Sequence, residues 1–382
     1  MSKPSNQVQE VSFSNLVFSL LATRDIHKLV ERLEHRYHHI NFCIPVPCSS
    51  KKIFIFQDKT WVSKVLKKQT RLPFVNQNFD ISHGHKYSIN AVNTIDPLWA
   101  DLHNGLASIF AKKRIAPLLE KNRHVLFGNG EFIINDILEE FFLRIWSEYC
   151  FGPVDFSQFK TLRAKLVETL IKVFHGNPVN RLPWVGRLTS LRNYHKYLRE
   201  LEDVDAGLAE LLQSAISNKQ GIFYELYELL RPKYDNAFQI ALDNSFLGIL
   251  VYDFIYIVLL DATVKIAKNP ETNRFLQVQK SMHDGFLYPF RFRTAEESFD
   301  GVSEGDYCII NLQKAGLYFS SGPRYCPGQP VFREVYTKYL EMLEHYDLRL
   351  VDPDEKIVYN GSRDIPLMQS RHHARLAKRA SS

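Results

Sequence analysis

Apolar and polar positions follow a helical period over most of this chain, broken by short runs of strand-like alternation. Residues 25–40 interleave charge with Ile, Leu and Tyr at helical spacing. KKIFIFQD (Lys51 to Asp58) then predicts a strand and TWVSKVLKKQ (Thr60 to Gln69) a short helix. Arg71 to Pro97 is rich in Asn, Asp, His and Gly and predicts a loop. Residues 98–120 form one amphipathic pattern, and the period continues through 131–150, 156–175 and 186–217. The proline-bearing NPVNRLPWVGR (Asn177 to Arg187) interrupts it as a turn. Residues 235–268 are the longest helical candidate. Phe246 to Leu260 is apolar nearly all round, which predicts a helix running through the core and stopped at Asn269-Pro270-Glu271. LYPFRFRTAEE (Leu287 to Glu297) and GVSEGDYCIINLQ (Gly301 to Gln313) predict strands, and LRLVDPDEKIVYNG (Leu348 to Gly361) a hairpin. The pattern is therefore mainly α with small β-sheets, an α+β fold. Repeats and low-complexity linkers are absent, so residues 25–370 read as a single domain.

Composition narrows this. At 45% hydrophobic, the 382 residues can bury a sizeable core, and 27 Phe and 18 Tyr suit a large apolar cavity as well as an aromatic core. Much of the net charge of +6 sits in RHHARLAKR (Arg371 to Arg379), so residues 371–382 read as a solvated basic tail. No basic face is evident elsewhere, which argues against nucleic acid. The five cysteines are an odd set without regular spacing, which fits a reducing, cytoplasmic setting rather than a disulfide framework. Cys43 and Cys48 lack the neighbouring Cys or His pairs of a zinc site. In residues 1–24, VSFSNLVFSLLA (Val11 to Ala22) is too short and polar for a membrane anchor, which needs about 20 apolar residues.

The most specific feature is FSSGPRYCPG (Phe319 to Gly328), one cysteine in a turn built from Gly322, Pro323, Pro327 and Gly328. A thiolate offered in such a turn, with backbone N–H groups free to face it, suits an axial ligand to haem iron, and its electron push favours O–O cleavage. The competing reading is an inert buried cysteine in a Gly/Pro turn. The stretch resembles the cysteine-ligand loop of the cytochrome P450 family, FxxGxRxCxG, with every fixed position filled. The resemblance extends from about residue 25 to residue 370 and implies the P450-like helical fold with haem b (iron protoporphyrin IX). Cys326 would then be the iron ligand, with Phe319 beside it, Arg324 on a propionate and Gly328 opening the helix behind the ring.

Other site residues follow from the same resemblance. Trp99 and His103, four apart on one helical face, match the family's propionate donors; the alternative is a packed Trp beside a surface His. Arg293 matches a further propionate ligand, Arg291 less well, and a solvated strand face is the alternative for both. The loop over residues 71–97 and the helices of 156–217 match the parts that enclose the family's substrate channel. Residues 235–268 match its distal helix, whose acid falls on Asp253, with a core acid paired to a cation as the alternative. The hydroxyl that normally follows that acid is Phe254, and Tyr252 is the nearest hydroxyl.

The chain departs from the family elsewhere. The Glu-x-x-Arg pair lands on Lys280 and His283, while Glu271 and Arg274 have its spacing but stand too close to the preceding helix. The long segment before the cysteine loop is missing, and Phe332 replaces an alanine. The resemblance thus implies a haem-thiolate oxidoreductase or monooxygenase acting on a small apolar molecule, with Asp253 handling protons, Phe254 shaping the pocket and a ferredoxin- or flavoprotein-type electron donor. The departures favour a second possibility: a peroxide-driven enzyme, or a reductant-free isomerase or dehydratase of an oxygenated substrate. A third is a haem-binding protein without catalysis.

Overall fold

The computed structural model describes residues 5–15, 26–68, 70–71, 85–89, 92, 94–126, 130–175, 191–284, 290–360, 367–368 and 371–378. The turn expected at Asn177–Arg187 and most of the loop expected at Arg71–Pro97 lie outside these residues. The chain divides into two compact units: residues 1–101, 166–202 and 288–326 form the first, and 102–165, 203–287 and 327–382 the second. A single domain is what the sequence predicts. Three of the boundaries fall inside helices, so no linker composition marks them.

The first unit holds a six-stranded sheet in the order β1-β2-β3-β7-β6-β4. Its strands are β1 (Ser5–Glu10), β2 (His39–Pro45), β3 (Lys52–Phe56), β4 (Thr70–Arg71), β6 (Phe290–Ala295) and β7 (Tyr307–Asn311). β3, β6 and β7 fall where alternation predicts strands. β1 and β2 carry no such signal; β2 is buried at Asn41 to Ile44 on successive residues, so both of its faces are covered and alternation is lost. Helix α1 (Ile26–Tyr37) lays Leu29, Val30 and Leu33 against Phe42, Ile44, Ile53 and Ile55. Helix α2 (Lys59–Lys67) starts where the Asp58 carboxylate accepts the Thr60 and Trp61 N–H groups, a side-chain N-cap.

Helix α3 (Pro97–Lys112) begins in the first unit. The continuous helix expected over 98–120 breaks after Lys112 and resumes as α4 (Ala116–Lys121), with Pro117 in its opening turn, because proline has no N–H to continue the ladder. In the second unit follow α5 (Arg123–Leu126), β5 (Gly130–Ile133) and α6 (Ile134–Phe151). Next come α7 (Phe156–His175) and α8 (Leu191–Asn218), which run across the unit boundaries, then α9 (Ile222–Leu230), α10 (Ala237–Lys268), α11 (Arg274–Asp284) and α12 (Gln329–Glu344). α10 packs against α6, α9 and α11, as its all-round apolar sequence requires. The Trp146 indole N–H donates to the Gly248 carbonyl at 2.6 Å, and the Thr263 and Tyr339 hydroxyls meet at 2.7 Å, both buried. Among the described residues one helix, α10, is long and apolar enough to cross a membrane, and 76% of its most apolar window is buried in protein.

Two expectations at the carboxyl-terminal side fail. β8 (Tyr346–Leu350) does not fold back within residues 348–361; it pairs with β11 (His373–Lys378), while β9 (Tyr359–Asn360) pairs with β10 (Leu367–Met368). Residues 371–378 are likewise no solvated tail. β11 is the central strand between β5 and β8, with His372 fully buried and Ala374 turned inward. Its arginines mask this, because they lie on the outer face, where Arg375 pairs with Glu131 and Arg371 with Asp136. Truncation before Arg371 is expected to lower the melting temperature by roughly 5–10 °C, since two ladders lose their partner; a melt unchanged within a degree is the outcome for a free tail.

Candidate functional site

The cysteine loop grows out of β7 through tight turns rather than a long excursion. Ala315 donates to Asn311, Gly316 to Gln313 and Leu317 to Leu312, which delivers the chain directly to Phe319. The Cys326 N–H then closes the loop on the Phe319 carbonyl at 2.8 Å. Gly322 takes φ +63°, which favours glycine, and a Cβ there would sit 3.1 Å from the Lys67 side chain, a tight contact. Gly328 differs: its φ of −81° and ψ of −2° suit any residue, so backbone geometry does not explain it.

Of the five thiols, three are ruled out by burial. Cys308 is pushed up to about 12 and Cys150 well above its ordinary value, each mainly by burial, and Cys43 is raised for the same reason. Such thiols stay protonated and inert. Cys48 is exposed, and Cys326 is half-buried at the end of its loop.

Two residues before Cys326, Arg324 donates from Nη2 to the Thr70 carbonyl at 2.9 Å, while its Nε is buried without a hydrogen-bond partner. Arg293 on β6 is 8% exposed. Burial holds its guanidinium well below the ordinary arginine range, and the positive charges of Arg324 and Arg291 push the same way. Arg324 is also lowered by burial, against a weaker pull from Glu296. Thr70, Thr294 and Ser321 each bury a hydroxyl oxygen without a partner. Buried cations and unmet donors of this kind are costly unless an anion meets them. The sequence points to Arg293 and Arg324; Thr70 and Ser321 carry no motif, and only the ladder and the loop bring them into the same unit.

Trp99 is buried on α3 and His103 follows one turn later, half-buried. Lys280 and His283 are exposed on α11. Arg274 opens that helix and donates to the Leu343 and Tyr346 carbonyls at 2.5 and 3.1 Å, where it caps the end of α12.

In the second unit, adjacent residues of α10 face different neighbours, as about 100° per residue dictates. Asp253 is 8% exposed and accepts from Arg163 Nε at 2.7 Å. Arg163 also donates to Glu139 at 2.8 Å and lies 5.0 Å over the Tyr252 ring. Burial holds the Asp253 carboxyl above its ordinary value even against the pull of Arg163. The Tyr252 hydroxyl is committed to the Glu139 carbonyl at 3.3 Å. Phe254 instead packs against Phe332 of α12 with tilted rings, centroids 5.3 Å apart, and Phe332 against Tyr336 at 5.4 Å. Arg163 and Glu139 have no sequence signature; their partner is remote in the chain.

No protein-family profile matches the chain, and no curated protein sequence does. Solved structures match closely in shape. P450BioI in complex with hexadec-9Z-enoic acid ligated acyl carrier protein is 14% identical, with a TM-score of 0.68 over 94% of this chain and 100% of that one. Retinoic acid bound cyanobacterial CYP120A1 is 13% identical, with a TM-score of 0.65 over 99% of this chain and 100% of that one. The fold is cytochrome P450-like. Among the described residues no group of three or more His, Cys, Asp or Glu assembles a metal site, and iron carried in a porphyrin would not need such a group. A haem brings two carboxylates, and Arg324 Nε with the Thr70 and Ser321 hydroxyls are buried polar groups that could meet an anion, so these residues of the first unit fit the group this fold implies.

Replacing Arg163 with Met is expected to cost about 3–5 kcal/mol of stability, because it leaves Asp253 buried without its cation, while Glu139 keeps its ion pair with Lys160. The R163M/D253L double variant should recover part of that loss in denaturant melts; equal loss in both would mean that Arg163 acts through packing alone.

Proposed function

We propose that the protein is a haem-thiolate oxidoreductase acting on a small apolar molecule, with Cys326 as iron ligand. The observation that carries this reading is the cysteine loop of the P450-like fold standing in one unit with two buried arginines and unmet hydrogen-bond donors. Arg324 and Arg293 hold the haem carboxylates, with Trp99 and His103 as further donors; Phe319 packs beside the sulfur, and Gly328 leaves room where a Cβ would stand. Bound haem supplies the oxidising chemistry, and the chain contributes binding, orientation and exclusion of water. The apolar substrate class agrees with the names of the two similar structures, which hold an acyl-carrier-linked hexadecenoic acid and retinoic acid.

A second reading is favoured by α10. Phe254 has no proton to give, and the Asp253 carboxylate is tied to Arg163. Proton delivery to dioxygen by Asp253 requires that pair to open. Peroxide-driven turnover, or rearrangement of an oxygenated substrate, needs neither that relay nor a ferredoxin- or flavoprotein-type donor.

Carbon monoxide added to the reduced, haem-loaded protein should give the Soret band of thiolate-ligated iron, and Cys326→Ser should abolish that band. A wild-type spectrum without it removes Cys326 as the ligand. Hydroperoxide should then support turnover with no reductase present. Turnover that appears only with an electron donor returns the reading to ordinary monooxygenation, in which case Asp253→Asn should slow it by about 10- to 100-fold.

A further inference from the structure

The first unit also carries an open cleft of about 630 Å³ on one face of its sheet, a volume in the range of small-molecule sites. Its floor is Val8, Cys43 and Phe54, one residue from each of β1, β2 and β3. In the ladders Glu10 lies opposite Cys43 and Cys43 opposite Phe54, so these three side chains leave the sheet on the same side. One wall is Trp61 of α2, stacked on Phe56 with ring centroids 4.8 Å apart; Phe56 stacks in turn on Phe54 at 5.5 Å. The facing wall is the tip of a tight turn, Asp300-Gly301, closed by mutual backbone hydrogen bonds between Phe299 and Val302. Lys64 ties the two walls together: its Nζ stands 4.6 Å over the Trp61 ring and 3.2 Å from the Asp300 carboxylate. The cleft is thus shaped by contacts already made within the chain.

Its charges are arranged as a pair of opposite sign. Lys64 and Asp300 neutralise one another in the walls. Glu10 and Lys52, both exposed, flank the apolar floor from two sides. Lys52 shares a face with Phe54 two residues on, and strand spacings put its Cα about 12 Å from that of Glu10, with Cys43 and Phe54 between them. Burial raises the Cys43 thiol most; Lys52 and Glu10 act on it next, in opposite senses, as their places on either side of the floor require. A ligand with one charge would gain from one of these residues and be repelled by the other. A ligand with an ammonium and a carboxylate on one carbon meets both, while an apolar body covers the floor. β7 lies between β3 and β6, so the cleft floor stands two strands from Arg293 and is separate from the residues assigned to haem.

We propose that this cleft binds an apolar α-amino acid, with an aromatic side chain preferred: Glu10 receives the ammonium, Lys52 the carboxylate, and the side chain lies on Val8, Cys43 and Phe54 beside Trp61. The proposal does not depend on the haem reading.

Three probes separate the contacts: L-phenylalanine, phenethylamine, which lacks the carboxylate, and 3-phenylpropionate, which lacks the ammonium. Calorimetric titration of the full chain should give L-phenylalanine a Kd of roughly 0.1–1 mM and each of the other two an affinity at least about fivefold weaker. Glu10→Gln should weaken phenylalanine by about five- to tenfold and leave 3-phenylpropionate unchanged, and Lys52→Gln should do the same while leaving phenethylamine unchanged. Both side chains are exposed, so the variants should melt with the wild type. Equal binding of the three probes overturns the proposal, since the cleft would then be no more than an apolar surface. Phenylalanine binding that survives both substitutions, that shifts the Soret band of haem-loaded protein, or that fails to saturate in the millimolar range overturns it as well.

Discussion

A guanidinium buried beside two others is the constraint around which the first unit is arranged. Taking a charge out of water costs several kcal/mol unless another charge or a full set of hydrogen bonds replaces the solvent. Arg293 is buried with the charges of Arg324 and Arg291 pushing against its own, and Arg324 keeps a buried Nε without a hydrogen-bond partner although its Nη2 donates to the Thr70 carbonyl. A chain selected only for stability would place Met or Leu at these positions. An anionic group would complete such a site, and in the haem reading proposed above Cys326 would hold the iron and the arginines the acid groups.

The second unit solves a similar problem internally. Arg163 is clasped by Asp253 and Glu139 and covered by tyrosine rings, so its charge is met within the chain. The pair gives Asp253 a role in packing whatever its part in proton handling.

Much of the architecture is legible in the sequence because it rests on local signals. The all-round apolar α10, the β3–α2 pair, and strands β6 and β7 each obey one period over enough residues to be recognised. β2 fails because both faces are covered, and β11 because its arginines point outward while a buried histidine and alanine carry the packing. At the site, Cys326, Arg293 and Arg324 follow from motif spacing. Thr70 does not, since a lone threonine before a loop acquires meaning only when β4 pairs with β6. Phe254 and Phe332 stand out in the sequence as departures from a pattern, yet their mutual contact depends on how α10 and α12 pack.

The order β1-β2-β3-β7-β6-β4 joins Phe54 to Cys308 as direct neighbours in a parallel ladder. A ribosome making this chain releases β3 long before β7 exists, so the flank of β3 that β7 will cover waits unpaired through most of translation. Nascent chains of this kind are exposed to edge-to-edge association during synthesis, and their maturation is slow because loop closure must precede the contacts that reward it. Yield on expression should therefore respond to chaperone supply and to the pace of elongation more than to the stability of the finished fold.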